Sequence, residues 1–293
     1  MSVKYQINEQ YAAMQEVQDF VTHLPALFEA EGKQLFANGR NVLKVFEVVK
    51  GHPVLGKVVV KRFHARNIFQ TIAYSTFTTS KAQRAFHNGL KLLECGLSTP
   101  EPIAYVEERN GGMLRYCYYL TAFTEAKSVR TALDVDFNKP MAKSFAQFIA
   151  QLHQHGLVHH DLNFDNVLYQ ELPNLKPQTS NLQSQTSNLK PQTSNLQSQT
   201  SNLKPQTSNL IISVIDINRL TIHPANQLTL ADCKDDFVRW TDRKDLLKYV
   251  VEEYAKARGL DLPSTLDEVM RLKAIHDRNW HRRKKLTHKL KHL

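Results

Sequence analysis

The 293-residue sequence has no apolar run that approaches the ~20 residues a helix needs to cross a membrane. Residues 1–31 are mixed in charge and lack the apolar core of a secretory signal, so we expect neither standard export nor an integral membrane protein. Cysteine is scarce as well. Cys95, Cys117 and Cys233 are widely spaced and form no metal-binding or disulfide pattern, which favours a reducing cytoplasm.

The composition that remains is that of a folded protein. Hydrophobic residues make up 42% and aromatic residues 9% of the chain, which suits a globular core. The length is enough for one two-lobed domain or for two small domains.

One internal segment, residues 174–208, has a different composition. It repeats a seven-residue unit without any acidic or aromatic residue, and threonine is its sole β-branched residue. One leucine per heptad cannot form a coiled-coil seam, and so little apolar area cannot offset the entropy of ordering. We therefore predict a disordered insert. The five repeats begin at Asn174, Asn181, Asn188, Asn195 and Asn202.

Positive charge is concentrated in residues 271–293, which contain nine Lys or Arg and a single acid, Asp277, for a net charge of +8. Leu286, Leu290 and Leu293 follow at helical spacing. This pattern predicts a basic amphipathic helix that binds an anionic surface such as a membrane. A solvated charged tail is the alternative, and we expect no nucleic acid partner because no binding motif is present.

A short polar loop between two apolar pairs carries the first sign of chemistry. Its core is His159-x-Asp161, with Asn166 five residues after the acid. A loop fixed by buried strands holds its side chains rigidly, and phosphoryl transfer depends on such positioning. In this interpretation Asp161 orients and deprotonates a hydroxyl, and Asn166 holds Mg²⁺. A plain polar turn between two strands is the alternative.

Two further segments stand in the order that kinases show. Residues 211–219 predict a buried, β-branched strand that ends at Asp216, which we expect to be a second Mg²⁺ ligand. Residues 56–63 predict a strand in which Lys61 follows three valines, at the place of the lysine that pairs with ATP phosphates.

With these segments, the chain resembles the lipopolysaccharide kinase (Kdo/WaaP) family within the protein-kinase-like superfamily. The resemblance covers roughly residues 39–258 without the insert. Its cues are Lys61, Ser80–Phe86, Thr99–Tyr105, His159–Asn163 and Asp216–Arg219. It implies an α+β, two-lobed protein-kinase-like fold with a reduced C-lobe. Residues 1–123 would form the N-lobe, mostly β with one αC-like helix, and residues 124–293 the catalytic C-lobe, including the insert and the basic tail.

The resemblance also implies a function, with ATP and Mg²⁺ as cofactors. The expected reaction is phosphorylation of a sugar hydroxyl of lipopolysaccharide core (Kdo or heptose) or of its lipid A precursor. We expect a cytoplasmic protein that binds the inner membrane peripherally. His159 would support the loop through a backbone hydrogen bond, with an ordinary exposed histidine as the alternative. Other hypotheses are a small-molecule kinase of the aminoglycoside or choline type, an atypical protein kinase and a non-catalytic pseudokinase scaffold.

Some kinase features are missing. The turn expected to cover the phosphates contains Gly39 but no G-x-G-x-x-G, so Arg40 is a candidate phosphate contact, and a plain hairpin turn is equally compatible. The predicted helix Ser80–Cys95 has no acid in its middle and only Glu94 at its far end. The carboxylate partner of Lys61 therefore cannot be named from the sequence. Asp-x-Asn-Arg replaces Asp-Phe-Gly, which argues against an ordinary protein kinase.

Local patterns place the remaining elements. A capping pair, Ser80 with Gln83, predicts the start of the second helix, and apolar spacing predicts helices over 9–23, 141–155 and 246–257. Residues 103–106 and 113–123 predict strands, and residues 120–125 a hinge that binds adenine through backbone groups.

Overall fold

The structure, a computed structural model, describes residues 2–38, 41–64, 79–171 and 210–291. The described elements of its first half are β1 (Ser2–Ile7), α1 (Gln15–Ala30), β2 (Lys33–Asn38), β3 (Asn41–Phe46), β4 (Val58–His64), α2 (Lys81–Glu94), β5 (Pro102–Asn110) and β6 (Met113–Ala122). The strands form one antiparallel sheet in the order β1-β5-β6-β4-β3-β2, and the two helices pack on it.

The second half is mainly helical. Its described elements are β7 (Lys127–Ser128), α3 (Lys139–Gln154), β8 (Leu157–Val158), β9 (Val167–Glu171), β10 (Leu210–Val214), β11 (Thr221–Ile222), α4 (Asp235–Val238), α5 (Lys244–Arg258) and α6 (Leu262–Lys291). The strands form a three-stranded sheet in the order β10-β9-β7 and a two-stranded sheet of β11 and β8. A π-helical turn spans Thr131–Val135, and 3-10 turns span Phe164–Asn166 and Ile217–Arg219.

The first helix begins later than predicted. The sequence pattern indicated residues 9–23, but α1 starts at Gln15 and continues to Ala30. Before it, the Asn8 side chain accepts a hydrogen bond from the amide of Gln10 and donates one to the carbonyl of Pro102. This local bonding competes with helix formation. The apolar face of α1 is buried through Val17, Val21, Leu24 and Phe28.

The second helix, α2, starts where its cap predicts. Ser80 Oγ accepts a hydrogen bond from the backbone N–H of Gln83 at 3.1 Å. Gly89 allows the helix to approach the sheet closely, because a Cβ there would lie 2.6 Å from Pro102 Cγ and 2.8 Å from the Tyr119 hydroxyl. Helix α2 therefore packs directly on β5 and β6, next to the cleft between the two lobes.

Helix α3 confirms the predicted apolar stripe, since Phe145, Phe148, Ile149 and Leu152 are all buried. Strands β9 and β10 form an antiparallel pair on the two sides of the insert, from Val167 opposite Val214 to Glu171 opposite Leu210. The repeats themselves lie outside the described residues. Disorder of residues 174–208 therefore stays a prediction.

The basic segment belongs to one 30-residue helix, α6, which continues to Lys291. Its helical character is therefore confirmed as far as residue 291. Residues 281–285 are exposed, and Trp280 is 51% exposed. The side chains of Leu286, Leu290 and Leu293 lie outside the described part of the chain. Among the helices in the described ranges, none is long and apolar enough to span a bilayer.

Candidate active site

A cleft of about 230 Å³ lies between the two halves of the molecule. Its walls are mostly apolar, and its polar groups include Lys61 and Asp216. Residues 121–124 at the end of β6 line one side, where the sequence predicts the hinge that binds adenine. Apolar side chains on both sides complete the walls: Leu35, Leu43 and Val59 from the first sheet, and Leu168 and Ile215 from the second lobe. A flat, apolar ring such as adenine suits these walls.

Lys61 and Asp216 meet in this cleft. Lys61 Nζ lies 2.7 Å from Asp216 Oδ1, and Asn218 Nδ2 donates to the same oxygen at 2.6 Å. Burial alone would raise the pKa of the Asp216 carboxyl. The positive charge and hydrogen bond of Lys61 outweigh this, so the pKa lies below its ordinary value of 3.8. The carboxylate is therefore ionised at neutral pH, as a metal ligand must be.

The structure shows which carboxylate pairs with Lys61 in place of an acid on α2. Within the described residues, the carboxylate that pairs with Lys61 comes from the segment after β10. Helix α2 contacts that same segment through other groups: Asn88 Nδ2 donates to the carbonyls of Ile217 (2.8 Å) and Leu220 (3.1 Å). Arg84 Nε donates to the carbonyl of Asn218 at 3.0 Å. The helix therefore positions Asp216 through backbone contacts.

Asn166 stands next to Asp216 through a short chain of contacts. Its carbonyl accepts a hydrogen bond from the N–H of Ile215 at 2.9 Å, and its side-chain Nδ2 donates to the carbonyl of Asp161 at 2.8 Å. With the amide nitrogen used this way, the amide oxygen is oriented as an acceptor. An amide oxygen and a carboxylate are ligands that Mg²⁺ accepts.

The described ranges contain no cluster of three or more His, Cys, Asp or Glu able to hold a metal ion. This fits Mg²⁺, because proteins usually hold that ion with one or two carboxylates while substrate phosphates and water complete its shell. The residues present are therefore compatible with the predicted ion. Their role as its ligands stays a prediction.

His159 is buried and is not an exposed histidine. Its Nε2 lies 3.0 Å from the carbonyl of Ile215, and its Nδ1 accepts the N–H of Asp161 at 3.3 Å. Nε2 must therefore carry the proton, as in the neutral ring that donates at one nitrogen and accepts at the other. His159 thus links the catalytic loop to the residue preceding Asp216, which is the geometry expected of a supporting histidine.

Asp236 is the residue that sequence reasoning missed. Its buried carboxylate accepts hydrogen bonds from the backbone N–H groups of His159 and His160, each at 2.8 Å. His153 Nε2 lies 3.3 Å from it. Burial raises the pKa of Asp236, but the bond and charge of His153 and the contacts of His159 outweigh this and hold it below 3.8. The sequence did contain a signal, because Asp236 stands at helical spacing from the apolar residues Cys233, Phe237 and Trp240. All three are buried in the structure.

This carboxylate explains the shape of the loop. His160 adopts the left-handed conformation, with φ of 63°, which is uncommon for a residue with a side chain. The two N–H bonds to Asp236 hold the backbone in this turn. Asp161, the next residue, is joined through Asn166 to Ile215, a residue that lines the cleft, and its side chain is 28% exposed.

Two arginines face Asp161. Arg219 Nη1 lies 3.6 Å from Oδ2, and Arg239 Nη1 lies 3.7 Å from Oδ1. A third arginine of the region, Arg130, is bonded instead to Asp165 through two 2.7 Å contacts. Asp165 thus has an arginine within hydrogen-bond distance, whereas the two arginines nearest to Asp161 lie farther than an ordinary hydrogen bond.

Gly39 and Arg40, the predicted phosphate-contacting turn, lie outside the described residues. The strands on both sides of the turn are described, and Asn38 pairs with Asn41 across them. The pairing of these two strands is therefore observed, while contacts of Gly39 and Arg40 with phosphate stay a prediction.

In the described residues, an antiparallel sheet with two helices packed on it, a helical second lobe, and a Lys–Asp pair beside a His-x-Asp loop define a phosphotransferase of the protein-kinase-like class. A model of the lipopolysaccharide kinase (Kdo/WaaP) family matches residues 35–179, about half of the chain. The chain belongs to this family, and it is a kinase.

Two solved structures are similar to the chain, and the first of them supports the fold. WaaP in complex with acyl carrier protein is 14% identical, with a TM-score of 0.52, over 95% of this chain and 98% of that chain. The Rio2 kinase–ADP/Mg²⁺–phosphoaspartate complex from Chaetomium thermophilum is 16% identical, with a TM-score of 0.41, over 94% and 82%. No curated protein matches the sequence. The two-lobed α+β kinase-like fold is confirmed.

Proposed function

We propose that this kinase transfers the γ-phosphoryl group of ATP to a hydroxyl of the Kdo or heptose sugars of lipopolysaccharide core, at the inner face of the inner membrane. The observation that carries the proposal is the chain of hydrogen bonds that links the backbone of Asp161, through Asn166, to Ile215 in the cleft that Lys61 and Asp216 also line. A nucleotide bound in this cleft has its phosphates beside Lys61 and its transferable end towards Asp161.

Each polar residue has a role in nucleotide binding. The apolar cleft walls enclose adenine, while Lys61 contacts the phosphates. Asn166 and Asp216 would hold Mg²⁺, which would neutralise charge on the phosphates when bound. Lys61 Nζ lies 2.7 Å from Asp216 Oδ1. Binding of the metal–nucleotide complex gives each of them a new partner of opposite charge.

The transfer step uses Asp161. Its carboxylate accepts a hydrogen bond from the acceptor hydroxyl and orients that oxygen towards the γ-phosphorus. As the new O–P bond forms, the bond from the γ-phosphorus to the β,γ-bridging oxygen breaks, and ADP departs with the electron pair. The hydroxyl proton passes to Asp161 and then to solvent. His159 and Asp236 act as positioning residues, because their contacts are to the loop backbone.

The membrane part of the proposal rests on α6. The helix presents exposed basic residues 281–285 beside the exposed ring of Trp280. Each Lys or Arg held near an anionic bilayer contributes roughly 1 kcal/mol, and tryptophan favours the headgroup region. A peripheral kinase of this kind reaches a lipid-linked acceptor without a membrane span.

The test is mass analysis of lipopolysaccharide from cells with and without the gene, complemented with wild type, Asp161→Ala or Asp165→Asn. Loss of one phosphate group in the deletion, restored by wild type and by Asp165→Asn, is the expected result. Asp165 is a matched control because it lies in the same loop but is exposed and paired with Arg130. Purified Asp161→Ala should bind ATP with kcat lower by roughly 10²–10⁴-fold.

The alternatives predict other outcomes. Unchanged lipopolysaccharide, together with phosphorylation of an aminoglycoside or choline in vitro, would favour a small-molecule kinase. Phosphorylation of a protein substrate would favour an atypical protein kinase. Nucleotide binding without turnover on any acceptor would favour a non-catalytic scaffold.

A further inference from the structure

The two carboxylate oxygens of Asp161 face two different guanidinium groups. Arg219 approaches Oδ2 at 3.6 Å from the 3-10 turn after β10, and Arg239 approaches Oδ1 at 3.7 Å from the end of α4. These separations are longer than ordinary charge-assisted hydrogen bonds of ~2.7–2.9 Å. Two segments far apart in sequence thus place positive charge around the proposed base without bonding tightly to it.

The arginines also keep donors for another partner. Arg219 is 57% exposed, and Arg239 is one-third exposed, with its Nη2 lying 3.3 Å from Asp235. A guanidinium group has five N–H donors in a planar fork, and that fork matches a carboxylate or a phosphate. Several charge-assisted donors are therefore available around Asp161.

Both arginines belong to the second lobe. Lys61 belongs to strand β4 of the first lobe, whereas Arg219 ends the 3-10 turn after β10 and Arg239 directly follows helix α4. An acceptor hydroxyl must come within hydrogen-bond distance of Asp161 to react. An anionic substituent a few ångströms from that hydroxyl then falls within reach of both guanidinium groups.

We propose that Arg219 and Arg239 bind a negatively charged group of the acceptor sugar, adjacent to the hydroxyl that receives the phosphoryl group. This inference rests on the function proposed above and deepens it, because it selects an anionic acceptor. The shared chemistry is a carboxylate or phosphate anion. A carboxylate on the acceptor sugar itself, as in Kdo, is one source, and a phosphate on a neighbouring sugar is the other.

The experiment measures kcat/KM for wild type, Arg239→Gln and Arg219→Gln with matched acceptors. The acceptors are Kdo-terminated lipid A precursor, the same molecule with the Kdo carboxyl converted to its methyl ester, and the same molecule stripped of its lipid A phosphates. We expect wild type to discriminate against one of the two neutralised acceptors by roughly 10- to 100-fold, since a charge-assisted hydrogen bond contributes that much. The acceptor that fails identifies the source of the anion.

Either arginine variant should lose most of this discrimination while KM for ATP changes by less than about twofold. Lys256→Gln is the charge-matched control, because Lys256 is an exposed lysine paired with Glu253 on α5. It should behave as wild type. An equal loss of kcat/KM for charged and neutralised acceptors, or wild-type discrimination in both arginine variants, would overturn the proposal.

Two further measurements keep the outcomes separate. If wild type phosphorylates none of the lipid acceptors, the proposed function fails, whereas transfer without charge discrimination overturns only the arginine inference. If Arg239→Gln does not bind ATP, Arg219→Gln and Arg239→Lys decide. Arg239→Lys keeps the charge but loses the planar fork, so it should retain part of the discrimination.

Discussion

Lys61 Nζ lies 2.7 Å from Asp216 Oδ1, so the lysine expected to hold ATP phosphates is paired with the carboxylate expected to hold the metal ion. The two residues come from different lobes, 155 positions apart. Their contact therefore joins the first sheet to the second lobe. It also gives Lys61 a counter-ion that helix α2 does not provide.

Substitutions at this pair should separate metal binding from phosphate binding. Asp216→Ala should abolish the Mg²⁺-dependent part of ATP affinity, because it removes the proposed carboxylate ligand. Lys61→Met should weaken ATP binding by roughly tenfold in the presence or absence of Mg²⁺, the size expected for one charge-assisted contact. Calorimetric titration with ATP in Mg²⁺ and in EDTA measures both. Wild-type metal dependence in Asp216→Ala would remove Asp216 from the metal site.

Asp236 should control stability at low pH. Its pKa in the folded protein lies below 3.8, so its contribution to stability is fully present above pH 3.8 and is lost as pH falls through the lower folded value. Asp236→Asn should lower the free energy of unfolding near neutral pH by roughly 3 kcal/mol, since it breaks a buried network. It should also make the acid limb of the stability curve shallower. Urea denaturation from pH 3 to pH 7 measures both effects.

Asp165→Asn is the control for this experiment, because Asp165 also has a lowered pKa but its side chain is exposed beside Arg130. Its effect should stay below about 1 kcal/mol, as is usual for surface pairs. Equal losses in the two variants would mean that the buried network around Asp236 is not a principal source of stability.

Deletion of residues 174–208 should leave the fold and the activity nearly intact. Strands β9 and β10 pair as far as Glu171 opposite Leu210, and the deletion leaves three residues to join them, a length that hairpins accept. Shortening the connection changes the closure entropy by only about 0.6 kcal/mol per halving. A melting temperature far below that of wild type would show that the repeats pack on the domain. An equally long Gly/Ser replacement separates length from composition.

Removal of residues 284–293 should weaken binding to anionic vesicles while ATP affinity stays the same. Intact protein should sediment with such vesicles at low salt and dissociate at about 1 M salt, because screening limits attraction to about 8 Å even at physiological ionic strength. Zwitterionic vesicles are the control. If intact protein ignores anionic vesicles at low salt, the membrane proposal fails and a soluble acceptor becomes the better hypothesis.

Local signals predicted most of the fold. The Ser80 cap, the strand before Lys61 and the apolar stripe of α3 are each specified by neighbours in sequence, and the structure confirms all three. The predicted start of α1 was wrong. The Asn8 side chain bonds to the amide of Gln10 and to the carbonyl of Pro102, and the second contact, across 94 positions, is one that periodicity does not reveal.

The candidate site divides in the same way. Asp161, Asn166 and Asp216 were predicted because each belongs to a short motif beside a predicted strand, and hydrogen bonds of Asn166 join Asp161 to Ile215, the residue before Asp216. The partner of Lys61 and the role of Asp236 depend on contacts across 155 and 77 positions. Such contacts follow from the packing of whole elements. The placement of Arg219 and Arg239 around Asp161 is of the same kind.

The dependence of the catalytic loop on Asp236 has a consequence for synthesis of the chain. A nascent chain that has just passed residue 216 already contains Lys61, Asp161, Asn166 and Asp216, but it lacks the carboxylate that accepts the two loop N–H groups. Ribosome-bound fragments that end before residue 236 should therefore have no phosphotransfer activity. At 5–20 residues per second, activity is delayed by roughly one to four seconds after the last proposed ATP- or metal-binding residue is made.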